Sequence, residues 1–215
     1  MHPAWLSNAY LVADEPGGTA VFVDSGAPLE PLIVVVERER LEPTHVLVTH
    51  GHADHVAGND ELERLYGVRV TNAPLEAGGL LVRPLLTPGH SDDGVSFVIN
   101  EEICFSGDTL FRDSVGGGRA PAIERSVMEM LMSLPHEMRV LPGHTDETTI
   151  GREWEENPFV RHWRGLDDPD GRHCHVQGRE ATVIVWSPDY DGKGKALVRW
   201  ADGTDAIVGA SRISF

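Results

Sequence analysis

The stretch Thr49-His50-Gly51-His52-Ala53-Asp54-His55-Val56-Ala57-Gly58 places three imidazoles and a carboxylate within six residues. It leaves the short apolar run Val46-Leu47-Val48-Thr49, which reads as a buried strand. Side chains alternate along an extended backbone, so His50 and His52 leave on the same side. A helix over 61–66, capped by Asn59 or Asp60, is expected next. The chain must therefore turn after His52, which swings Asp54 and His55 toward a neighbouring position. Imidazole and carboxylate are ligands that suit zinc, and also iron or manganese. Gly51, Ala53 and Gly58 are small enough to let backbone crowd an ion.

Three further sites have the same design: an apolar run, then a glycine, then one metal-type side chain. Leu85-Leu86-Thr87-Pro88-Gly89 delivers His90, Ile103-Cys104-Phe105-Ser106-Gly107 delivers Asp108, and Val140-Leu141-Pro142-Gly143 delivers His144. A strand end followed by a tight turn is where a ligand loop would sit. An isolated histidine is ordinarily a surface or core residue, and His2, His45, His136 and His162 are read that way. His173-Cys174-His175 alternates beside a linker and is also read as surface.

Around these sites the chain alternates strand and helix signals. Strands are expected over 8–13, 19–24, 68–71, 80–86, 95–99, 102–105 and 138–141, with helices over 28–40 and 123–134. An α/β domain over 1–166 follows. Composition changes at the turn-rich Asp167-Asp168-Pro169-Asp170-Gly171. Beyond it, 180–187, 195–200 and 205–208 alternate apolar and polar residues between Asp-Gly turns. This predicts a small antiparallel β unit over 171–215, whose apolar face needs a surface, either the main domain or a second copy in a homo-oligomer.

With 40% hydrophobic and 24% charged residues, the chain has an ordinary globular composition. No apolar run is long enough for a membrane-spanning helix. The first residues lack a basic start, apolar core and cleavage site, so a cytoplasmic protein is expected. Two cysteines cannot make a disulfide framework. A net charge of −16 repels phosphate backbones, and no basic stripe offsets it, so nucleic-acid binding is not expected. The partner left is a small-molecule substrate.

The ordered set HxHxDH at 50–55, PGH ending at 90, SGDTLF at 106–111 and PGH ending at 144 resembles the metallo-β-lactamase superfamily. Within it the chain is most similar to the compact bacterial branch of glyoxalase II (hydroxyacylglutathione hydrolase)-like enzymes. WLSNAYLV at 5–12 and the following AVFVDSGAP resemble the opening strands of that fold, with Asp24 as a recurrent structural aspartate. The resemblance implies an αββα sandwich, here with a C-terminal β appendage. It implies two divalent ions, zinc first, with iron or manganese as alternatives. His50, His52 and His90 would hold one, Asp54, His55 and His144 the other, and Asp108 would bridge. Such a pair shares a hydroxide whose pKa falls toward about 7, and Asp54 would orient it for attack on a thioester or ester carbonyl.

Two departures bear on the substrate. His90 is followed by Ser91-Asp92-Asp93, whose carboxylates would either make the entrance less welcoming to an anionic substrate or support the site from behind, and the cluster that grips glutathione has no counterpart. Arg112 and Arg119, in the loop FRDSVGGGR, are the candidate anchors for a substrate carboxylate. The competing functions are a mononuclear iron persulfide dioxygenase of the same fold and a non-enzymatic scaffold that recruits a partner through its C-terminal unit.

Overall fold

A computed structural model describes residues 5–215; His2 lies outside them. Two sheets face each other across an apolar core. The first has four strands in the order Tyr10–Ala13, Thr19–Val23, Glu42–Leu47, Arg69–Thr71. The second has six, in the order Thr148–Thr149, Arg139–Pro142, Ile103–Gly107, Val95–Ile99, Leu80–Leu86, Leu75–Ala77.

Period-two alternation explains the layers. Val21, Val23 and Leu47 point inward and meet Leu80, Val82, Phe97 and Phe105 of the other sheet. Phe22 and Val46 point outward and are covered by Leu29, Val36 and Leu62, from or beside helices Glu30–Glu39 and Asn59–Tyr66. On the far side, Val98, Cys104 and Val140 are covered by Ile123, Val127, Leu131, Ile150 and Phe159. Strands buried on both faces read as unbroken apolar runs, and the result is the αββα sandwich.

Local details differ from expectation. Asn59 does not cap the second helix: Gly58 precedes it, and the Asn59 Oδ1 instead accepts a hydrogen bond from Ser25 Oγ at 2.7 Å. The helix expected over 123–134 starts at Ala120, changes to π-helical pitch over Ser126–Leu131 and ends there. The Met132 N–H reaches back to Val127 O at 2.8 Å. At the change of pitch, Ser126 donates its hydroxyl to Pro88 O at 2.7 Å, tying this segment to the loop that carries His90.

The C-terminal sheet has six strands, in the order Gly118–Arg119, Asp205–Gly209, Lys195–Trp200, Arg179–Ser187, His173–Val176, Ile213–Ser214. His173-Cys174-His175 is thus a strand, with exposed histidines flanking a buried cysteine. One edge strand, Gly118–Arg119, comes from the segment read as the catalytic domain and pairs antiparallel with Ala206 and Ile207. Ile184, Val185, Leu197 and Ile207 enter the same core as Val98, Leu110 and Phe159. The sheet therefore docks on the sandwich. Among the described residues no helix is long and apolar enough to cross a membrane.

Candidate metal centre

The strand Glu42–Leu47 ends just before the HxHxDH segment, and a short helix Ala53–Val56 turns it. His50 and His55 are buried, Asp54 is partly open and His52 is exposed. The other strand ends bring His90, Asp108 and His144 to the same edge of the sandwich. Ligand atoms fall into three groups, each within 4.8 Å: His50, His52 and His90; His50, His55 and Asp108; and Asp54, His55 and His144. Asp108 Oδ1 lies 3.4 Å from His55 Nε2, and its Oδ2 lies 3.4 Å from both His90 Nε2 and His144 Nε2. All seven residues singled out in the sequence thus converge, with Asp108 facing both sets. His45, His136 and His162 join none of these groups.

Each of four imidazoles has its Nδ1 engaged behind it. His55 Nδ1 lies 2.7 Å from Asp24 Oδ2, His90 Nδ1 2.8 Å from Gly117 O, His144 Nδ1 2.9 Å from Leu6 O and His50 Nδ1 3.2 Å from Thr49 Oγ1. Oxygen acceptors at Nδ1 fix the tautomer that leaves Nε2 as a lone pair. Thr49 in turn donates its hydroxyl to Asp24 Oδ2 at 2.8 Å and its N–H to Asp24 Oδ1 at 2.8 Å. His52 presents Nδ1, 3.0 Å from His50 Nε2 and 3.1 Å from His90 Nε2.

The donor set fits divalent ions. Three imidazole nitrogens crowd one point, and His55 Nε2 and Asp108 Oδ1 are buried with no hydrogen-bond partner among the described residues. Buried polar atoms left unpaired are costly unless something binds them. Electrostatics diverge sharply over this short distance. Burial and then neighbouring His55 depress His50 to about 3. Burial also works against charge on His55, but the adjacent carboxylates of Asp108 and Asp24 outweigh it and raise its pKa to about 10. Asp108 is opposed by burial yet held well below the carboxylate range by His144 and His55.

On the substrate side, Asp93 takes the supporting role among the two expected of it, while the arginines depart from expectation. Arg119 Nη2 lies 2.5 Å from Asp92 Oδ1, and Asp93 accepts the Gly51 N–H at 3.0 Å and the Ser91 hydroxyl. Those acidic residues thus pair with Arg119 and with the ligand loop. A cleft of about 530 Å³ opens against His90 and Asp108, and neither Arg112 nor Arg119 lines it. Its opposite wall is the C-terminal sheet and its loops, including Tyr190, Lys195, Trp200, Ile207 and Arg212. Sequence reading missed this wall, because no local motif marks it; the one cue was an aromatic in the Asp189-Tyr190-Asp191-Gly192 turn.

Comparison with known proteins follows the same lines. A family model for the metallo-beta-lactamase superfamily matches residues 2–78. An uncharacterized protein of Mycobacterium leprae is 31% identical over 202 residues, covering 71% of this chain and 93% of its own. A hydroxyacylglutathione hydrolase of Rhodopseudomonas palustris is 36% identical over 160 residues, 63% of this chain and 61% of that protein. Among solved structures, ETHE1 from Myxococcus xanthus is similar with a TM-score of 0.65 at 28% identity, covering 79% of this chain and 91% of that one.

Proposed function

This chain belongs to the metallo-β-lactamase superfamily, and from that premise we propose that it is a two-metal hydrolase of a small thioester or ester. The observation that carries the reading is the pair of ligand sets, His50, His52, His90 and Asp54, His55, His144, with Asp108 facing both. These residues would hold two divalent ions, with zinc the first choice for nitrogen and oxygen donors and iron or manganese alternatives. When bound, such a pair supplies Lewis acidity and a water that ionises near neutral pH.

The chain's own groups do the remaining work. Asp54 is the partly open carboxylate of the centre and holds and orients the attacking water. Asp108, nearly buried, keeps the two ligand sets in register. The cleft over His90 and Asp108 receives the acyl group. Water adds to the carbonyl, the C–S or C–O bond breaks, and a carboxylate and a protonated thiol or alcohol leave. No side-chain nucleophile is needed, and both cysteines are buried. The likeness to a hydroxyacylglutathione hydrolase supports the thioester class. Lys195 and Arg212 on the cleft wall face Asp108, Asp189 and Asp191, a mixed charge that supports neutral or singly charged substrates.

The test is elemental analysis of natively purified protein together with turnover of a neutral acyl thioester. Two ions per chain are expected. His50→Ala and Asp108→Ala should each lower kcat/KM by at least about 10³-fold while the chain stays folded, since several kcal/mol of charge stabilisation is removed. One iron per chain would favour the dioxygenase reading, and near-normal turnover by either variant would sink the two-metal one.

A further inference from the structure

The C-terminal sheet reaches the metal centre at His144. Tyr190 sits in the loop between strands Arg179–Ser187 and Lys195–Trp200. Its ring lies over the His144 ring with centroids 4.1 Å apart and planes 6° from parallel. Phe111 meets both rings edge-on, 5.8 Å from His144 and 5.7 Å from Tyr190. The loop is held at both ends. Ser187 donates its hydroxyl to Asp113 O. Lys195 pairs with Asp189 Oδ2 at 3.1 Å, both side chains only 6% exposed, and its ammonium lies 4.9 Å from the Phe111 ring centroid and 5.4 Å from that of Tyr190.

These contacts answer a geometric need. The bond from His144 Nδ1 to Leu6 O fixes one point of the imidazole but not its plane. A parallel ring on one face and an edge-on ring beside it fix the plane, and with it the direction of Nε2 toward Asp54 Oδ2 and Asp108 Oδ2, each at 3.4 Å. The Tyr190 hydroxyl makes no hydrogen bond to the described residues, so the ring is the working part.

We infer that the C-terminal sheet braces the metal centre, with Tyr190 as a positioning residue that holds the His144 ring in its ligating orientation. This rests on the reading that Asp54, His55 and His144 hold an ion. Groups that orient a ligating histidine typically change metal affinity by about 10–100-fold when lost. The sheet is then part of the centre's retention machinery as well as a wall of the cleft.

The experiment uses the full chain loaded with zinc, as wild type, Tyr190→Phe, Tyr190→Leu and His144→Ala. Metal content is measured first, then release to a coloured chelator is followed in time, with thermal melts confirming that each variant is folded. His144→Ala identifies the release phase of the second ligand set. Tyr190→Phe should match wild type, and Tyr190→Leu should speed that one phase about 10–100-fold while leaving the other within about twofold. Unchanged release from Tyr190→Leu, equal acceleration of both phases, or a Tyr190→Phe as fast as Tyr190→Leu would each overturn the inference. A wild-type chain that takes up fewer than two ions overturns the two-metal reading itself, and this inference falls with it.

Discussion

Asp24 Oδ2 lies 2.7 Å from His55 Nδ1, so a residue at the end of the second strand holds a ligand-type histidine 31 positions away. The same carboxylate takes two hydrogen bonds from Thr49. Asn at 24 has one acceptor oxygen for three donors, so a buried donor would face an amide N–H₂. Asp24→Asn should cost about 1–3 kcal/mol of stability and about 10–100-fold in metal affinity. Thermal melts and competitive chelator titration check both. Wild-type affinity in this variant would mean that the Asp24–His55 contact orients nothing.

Gly143 stands where backbone passes between two site residues. A Cβ there would lie 2.4 Å from Asp108 Oδ1 and 2.7 Å from His55 Cε1. Both side chains are buried. Gly143→Ala should cost about 1–3 kcal/mol by overpacking, a fall of about 2–12 °C in Tm for a chain of this size. It should also lower metal content. A variant with unchanged Tm and two ions bound would show that the Asp108 carboxylate moves freely.

Removing 171–215 should not release an intact catalytic half. Ile184, Val185, Leu197 and Ile207 sit in the core of the sandwich. Four such side chains represent about 6–12 kcal/mol of burial, comparable to the whole stability of a typical domain. The expected outcome is aggregation or loss of the cooperative melt. A soluble truncated chain with the parent Tm would show that the sheet merely rests on the sandwich.

Burial pushes the Cys104 thiol up to about 12, and burial likewise raises Cys174. At pH 8 only about one Cys104 in ten thousand is thiolate, the reactive form. Native protein should therefore resist a thiol-specific reagent at pH 8 and yield both thiols in denaturant. The sign for stability follows: the unfolded thiol ionises near 8.5, so the contribution from Cys104 is intact below that pH and declines as pH climbs toward 12. Rapid native modification of Cys104 would contradict the packing of this strand.

The constellation of His50, His52, Asp54, His55, His90, Asp108 and His144 was legible because each ligand sits in a local motif at a strand end. The layers were legible because apolar runs carry their own period. What was hidden depends on partners remote in sequence. Asn59 looks like a helix cap until Ser25 claims its side chain. Val127 and Leu131 read as an ordinary helical pair, since four-residue spacing does not distinguish α from π pitch. Gly118–Arg119 is too short to signal a strand and becomes one only because Asp205–Gly209 lies beside it. Tyr190 and Lys195 have no motif at all; folding alone brings them to His144 and the cleft.

The hydrogen bond from His144 to the carbonyl of Leu6 has a practical consequence. Asn8 N–H also donates to Gly143 O at 2.7 Å, so the first described residues are bolted to a ligand loop. At the other end, Ser211 and Arg212 line the cleft and Ile213–Ser214 pairs with His173–Val176. Both segments are mechanically coupled to the site. Mechanical strain placed on Leu6–Asn8 or on Ser211–Arg212 would therefore be felt at the ligand loop or the cleft, whereas Gly67, which caps the helix Asn59–Tyr66 and is exposed, is not part of the cleft lining.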